Sequence, residues 1–144
     1  MSHTRRSAVL TLEGAGAALA AALAHATERG LRMNIAVVDP GGALLTFARM
    51  DGAFAHSGPI AIDKARTVAG FGGAPTAGLY EALAGEDAVI RGIANRPGVA
   101  AFGGGVPIHV DGELVGAIGA SGGSAEEDAQ VASAGAAAVG PASP

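Results

Sequence analysis

The sequence predicts an α+β fold: a single domain with an antiparallel β-sheet built from two hairpins and helices packed on it. Three observations predict it. Two apolar, β-branched stretches are each folded back by a turn sequence, Pro40-Gly41-Gly42 in the first and Asp111-Gly112 in the second, and Asp-Gly between apolar runs is a strong hairpin signal. Helical patterns precede, separate and follow the hairpins instead of alternating with single strands, which disfavours a doubly wound parallel sheet and puts the helices on one face of an antiparallel one. The length, 144 residues, suffices for one hydrophobic core and is short for two.

The elements follow in order. Leu12, Leu19 and Leu23 with the alanines between them form a stripe at helical spacing; Thr11 suits the N-cap, Glu13 the first turn, and Gly30 the C′ position. Residues 1–9 before it are expected to be flexible. Arg5-Arg6 ahead of an alanine-rich stretch superficially copies a secretory signal, but Glu13 interrupts the apolar core such a signal needs. The period then changes: Asn34 to Asp39 reads as a strand, Pro40 and Gly41 as the central turn residues, and Ala43 to Met50 as the returning strand. A helix over Ser57 to Phe71 is predicted, capped by Ser57 with Pro59 in its first turn, then shorter helical pieces over Thr76 to Leu83 and Glu86 to Ala94. Val106 to Val110 and Glu113 to Ala120 form the second hairpin. Ser124-Ala125-Glu126-Glu127 is a capping box opening a final, alanine-rich helix. The domain therefore spans 10–139, and residues 140–144 are expected to fray.

Composition narrows the function classes. A formal net charge of -4 and a pI near 5.4 offer no basic stripe for a nucleic-acid partner. Without cysteine there is no disulfide, thiolate metal site or cysteine nucleophile. No stretch of 18 or more uncharged apolar residues exists, so no membrane span is expected, and a cytoplasmic location is inferred from the missing signal. With 49% hydrophobic and only 15% charged residues, self-association is expected.

One residue breaks the helical pattern. The chain has eight arginines and a single lysine, Lys64, which falls about 40° round the helical wheel from Ile60, with Val68 about 40° beyond it. An ammonium between two branched aliphatic side chains loses hydration unless a partner meets it. Two arrangements satisfy this: an internal pair with Asp51, the nearest candidate in sequence, or a pocket in which Lys64 receives a ligand carboxylate, carbonyl or phosphate. Glycine is the second signal. Gly103-Gly104-Gly105 precedes Val106-Pro107, and Gly116, Gly119, Gly122 and Gly123 punctuate the following strand and its exit. Bare backbone lets a ligand or another backbone approach closely, and successive N–H groups can hold an anion. None of these glycines fits a nucleotide-binding motif.

The runs Ile35 to Asp39, Arg49-Met50-Asp51-Gly52-Ala53, Ala61 to Thr67, Gly103 to Ile108 and Asp111 to Gly119, through Ser121-Gly122-Gly123, resemble the GlcG/HbpS family, which includes the C-terminal domain of PduO-type proteins. The resemblance covers about residues 10 to 138. It implies an antiparallel sheet flanked by helices, assembly as homo-oligomers from dimer to octamer, and, in some members, haem binding or participation in haem degradation. Carried over onto this chain, it implies a ligand pocket at Met50, Asp51, Lys64, Gly103 to Pro107, Gly119, Ser121 and Gly122. The sequence departs from the family at Gly73-Ala74, where relatives often carry a basic residue, and at the variable stretch Phe54, Ala55 and His56.

Among the histidines, His3 lies in the N-terminal segment, and His25 near the end of the first helix, where positive charge is favoured. His109 alternates with Ile108 and Val110 and sits opposite Leu114 in a two-residue hairpin register. His56, close in sequence to Asp51, is the better candidate for proton transfer or haem ligation. No His-x-x-x-His or Glu-x-x-His pair supports a dedicated metal site. Two function classes result. One is a haem-binding or haem-handling protein, its iron reached by His56 or Met50, although aromatic residues are only 3% of the chain. The other is a cofactor-independent isomerase, lyase or hydrolase, in which Lys64 and the Gly103–Pro107 loop hold a small carboxylate or carbonyl compound while Asp51 or His56 moves a proton. A third, an assembly subunit for a partner enzyme, has no residue signature of its own.

Overall fold

Local signals for turns and caps translate directly into the observed elements. The computed structural model describes residues 2–140; the expected frayed tail beyond Gly140 lies outside them. Helix α1 (Leu12–Glu28) is capped by Thr11, whose hydroxyl accepts from the Gly14 N–H. It ends where Gly30, at φ +67°, and Leu31 donate back to Thr27 and Ala26, satisfying carbonyls the helix leaves over. Strands β1 (Asn34–Val38) and β2 (Leu44–Arg49) are joined by a turn with Pro40 and Gly41 at its centre, closed by the Gly42 N–H on the Asp39 carbonyl. The Asp39 carboxylate also accepts from Gly41 and Ala43. Strands β3 (Gly105–Val110) and β4 (Glu113–Ser121) meet at Asp111 and Gly112, both with positive φ, 52° and 78°, the type I′ geometry that Asp-Gly favours. The hairpins join through antiparallel β1–β4 pairing, giving the order β2-β1-β4-β3. His109 pairs with Leu114, as expected.

Helices cover both faces of the sheet, not one. Helices α1 and α5 (Ala125–Ala137) pack on the face bearing Ile35, Val37, Ile118 and Ala120; α2 (Ser57–Gly70) packs on the opposite face, against Ala36, Val38 and Ala117. The reason is visible in β1, whose five residues are all buried. A strand buried on both faces reads as a continuous apolar run, whereas a half-exposed strand alternates.

Three further expectations change. Leu12 is 67% exposed, and α1 turns Ala15, Ala18, Ala22 and Ala26 to the core, with Leu19 and Leu23 half-buried at its margin. Only small residues fit there: a Cβ on Gly135 of α5 would come within 2.7 Å of the Ala18 carbonyl oxygen. Ser57 is the first residue of α2, not its cap; His56 precedes it in helical geometry without a side-chain cap, and the Ser57 and Gly58 N–H groups donate to Phe54 and Ala55 in a preceding turn. Helix α3 (Leu79–Leu83) starts after Gly78, at φ +83°, because Thr76 is held in reciprocal hydrogen bonds with Gly105. Helix α4 (Asp87–Ala94) follows.

The capping box at α5 is present as read: the Ser124 hydroxyl accepts from the Glu127 N–H and the Glu127 carboxylate from the Ser124 N–H, which also holds the Glu127 carboxyl below its usual range. Ser124→Ala is expected to cost about 1 kcal/mol in urea unfolding.

Candidate functional site

The lone lysine is fully buried, and its ammonium is met inside the protein. The side chain leaves α2, passes the end of the sheet and reaches the first turn of α5 on the other face. There Lys64 Nζ donates to Asp128 Oδ2 at 2.8 Å and to the Ala120 carbonyl at 3.0 Å. Its remaining side faces the Phe102 ring, with Nζ 4.8 Å from the centroid, a cation–π distance. The other Asp128 oxygen accepts from the Gly123 N–H at 2.8 Å. Lys64's partner is therefore Asp128, not Asp51, which lies exposed in the turn after β2. Burial pushes the Lys64 ammonium below its usual range against the raising effect of Asp128. It pushes the Asp128 carboxyl up against the lowering effect of Lys64 and the nearby N–H groups.

The glycines make room for this crossing. A Cβ on Gly104 would sit 2.6 Å from Lys64 Nζ and 2.5 Å from the Ala120 oxygen; one on Gly105 would sit 2.6 Å from the Lys64 carbonyl oxygen. One on Gly119 would collide with the Ala61 carbonyl oxygen and lie 2.7 Å from the Ala65 nitrogen. Gly105 and Gly119 thus let the backbone of α2 press against the sheet, and Gly104 lets the lysine stem pass.

Of the remaining expected site residues, Gly103 joins this cluster, its Cβ direction facing Ala125 of α5. Val106 and Pro107 follow on β3, half-buried, and Ser121 is buried at the end of β4. Gly122, at φ +141°, lies against the Arg32 carbonyl and Met33. Met50 packs with the α1/α5-side core and its sulfur accepts from the Met33 N–H. His56 is exposed at the start of α2.

A cavity of about 760 Å³ opens beside the buried pair, between the α3/α4 segment and the start of α5. Phe102 and Gly103 line it, with Tyr80, Glu81, Ala125 and Glu126 around them. Neither Lys64 nor His56 nor Met50 lines it; Phe102, 50% exposed, stands between it and the ammonium. Sequence reasoning missed Asp128, Phe102 and Tyr80. Asp128 was within reach: it shares a helical face with Val131, Ala132 and Gly135, the same breach of pattern that singled out Lys64. Among the described residues no group of three or more His, Asp or Glu side chains is placed to hold a metal ion, and no helix is long and apolar enough to cross a membrane.

Comparison with known proteins places this architecture. The family model described as "Haem degrading protein HbpS-like" matches residues 10–137. The chain is 36% identical to protein GlcG of Escherichia coli (strain K12) over 114 residues, covering 78% of this chain and 81% of that protein. A double mutant of Streptomyces reticuli HbpS superposes with a TM-score of 0.86 at 35% identity, covering 97% of this chain and 93% of that one. The PduOC–haem complex superposes with a TM-score of 0.82 at 28% identity, covering 90% and 94%. By a family match over most of its length, together with the sequence identity and shared architecture of these relatives, the chain belongs to the HbpS-like family.

Proposed function

We propose that the protein is a haem-binding or haem-handling protein and that the cavity beside Phe102 takes the ligand. The cavity carries this reading: its volume, about 760 Å³, falls in the range of roughly 300–1,000 Å³ typical of ligand sites. Its walls are mainly apolar and include the aromatic residues Phe102 and Tyr80. The reading is supported by the family's description and by the haem complex of a structural neighbour. Haem fits the residues present in this way: alanine and aromatic residues would hold the macrocycle, and Tyr80, among the lining residues, carries a hydroxyl of the kind that can ligate iron. Glu81 and Glu126 at the wall favour an orientation with the propionates toward solvent. When bound, the group would supply one-electron and oxygen chemistry. The same reading includes a homo-oligomer, supported by the apolar surface that Leu12, Phe54 and Phe71 leave exposed, and keeps the cytoplasmic location expected from the sequence.

Haemin titration followed at the Soret band tests it. A saturable shift is expected, weakened about tenfold or more by Tyr80→Phe and unchanged by His56→Ala, which alters a residue outside the cavity. No saturable shift with folded protein overturns the reading.

A second reading, a cofactor-independent isomerase, lyase or hydrolase acting on a small carboxylate or carbonyl compound, is favoured by one observation. The chain's single lysine places its ammonium 4.8 Å from the centre of the Phe102 ring, and Phe102 lines the cavity.

A further inference from the structure

We propose that Lys64 is an imine-forming amine, that Phe102 is the gate covering it, and that the cavity admits small aldehydes or ketones whose carbonyl carbon Lys64 attacks. This rests on the second reading of the cavity and names its substrate class and chemistry. Three observations carry it. The Phe102 ring stands 4.8 Å from Nζ while its outer part lines the cavity, so rotation about one side chain joins ammonium and cavity. Phe102 is 50% exposed, so its ring has solvent to swing into and need not displace packed neighbours. Asp128 Oδ2, 2.8 Å from Nζ, is positioned to hold and return a proton. A purely structural ion pair does not require its remaining side to face the wall of a cavity.

The step balances without a cofactor. The Lys64 ammonium passes a proton to the Asp128 carboxylate, and the neutral amine forms a C–N bond to the carbonyl carbon as the carbonyl π pair moves to oxygen. Asp128 returns its proton to that oxygen, takes one from nitrogen to give the carbinolamine, and donates it again as the C–O bond breaks and water leaves. The products are a protonated imine beside the Asp128 carboxylate and one water; charge is unchanged and nothing is oxidised or reduced. The direction in which burial biases each member of the pair, Lys64 toward the free amine and Asp128 toward the acid, favours the first proton transfer. The imine would then withdraw electrons from the adjacent carbon, as isomerase or lyase chemistry requires.

Lys64 is the only lysine, so amine trapping reports on one side chain besides the α-amino group. The full chain is incubated separately with pyruvate and with propanal, reduced with borohydride and peptide-mapped by mass spectrometry. Reduced adduct at Lys64 is expected with at least one probe. Phe102→Ala should trap faster by about tenfold, because the cation–π contact it removes is of the size that changes an opening equilibrium by that factor. Lys64→Met should retain only α-amino adduct; if that variant unfolds, the Phe102→Ala rate decides. Adduct confined to the α-amino group in both wild type and Phe102→Ala overturns the proposal. A haemin shift that survives in Lys64→Met leaves the haem reading standing on its own, and absence of any shift from a wild-type protein that traps at Lys64 sinks that reading alone.

Discussion

Asp128→Ala is expected to destabilise the protein by about 3–5 kcal/mol, the cost of leaving a buried charge without its partner. The substitution strands the Lys64 ammonium at zero exposure with one carbonyl, Ala120, as its remaining hydrogen-bond acceptor, and it also frees the Gly123 N–H. The double substitution Lys64→Met with Asp128→Leu is expected to be neutral or stabilising, because both desolvation costs go with the pair. Denaturant unfolding of Lys64→Met, Asp128→Leu and their combination closes the cycle that measures the coupling. The pH dependence has a definite sign. Asp128's folded value is raised above the ordinary 3.8, so its contribution is fully present below that value and is lost as pH rises through the folded value. Lys64's is lowered beneath the ordinary 10.5, so its contribution is present above that value and is lost as pH falls through the folded one. Where both groups are ionised in the folded protein the pair contributes least. The double variant should therefore lack two slopes that wild type shows: a fall in stability as pH rises from 3.8 through Asp128's folded value, and a rise as pH climbs through Lys64's folded value toward 10.5.

Gly119→Ala is expected to cost about 3 kcal/mol, the upper end for forcing atoms into a packed interior. Its new methyl would meet the Ala61 carbonyl oxygen and the Ala65 nitrogen, which are backbone atoms of α2 and cannot rotate away. The helix must move off the sheet, and with it the stem of Lys64, whose Cβ lies 3.1 Å from the same methyl position. Gly16→Ala is the informative contrast. It lies inside α1 with nothing within 4 Å of the added methyl, so a gain of about 0.5–1 kcal/mol is expected from helix propensity and a less flexible unfolded chain. Thermal unfolding of the two variants separates glycine kept for close approach from glycine merely tolerated.

The parts of the fold legible in sequence are those set by neighbours along the chain. Asp111-Gly112, Pro40-Gly41, Thr11, Gly30 and the Ser124–Glu127 box each act within about four residues, and each occurs where the sequence puts it. The lysine was legible too, since its position between Ile60 and Val68 violates a helical pattern. Its partner was not. Asp51 is near in sequence, while Asp128 comes close only because α2 and α5 lie on opposite faces of the sheet and meet at its end. The exposure of Leu12 likewise depends on how closely α1 and α5 approach, a distance fixed by Gly135 in the other helix.

The element order, both turns, the caps of α1 and α5, the family and the existence of one buried cation are all written in local sequence. Only the packed molecule shows that both sheet faces are covered, that Gly104 is the passage for Lys64, and that Phe102 separates the ammonium from a cavity. The division has a physical cause: turns and caps are short-range hydrogen-bond and steric choices, whereas ion pairing, close approach and cavities arise between segments far apart in the chain, such as Lys64 with Asp128 and Ala18 with Gly135, that only the completed packing brings together.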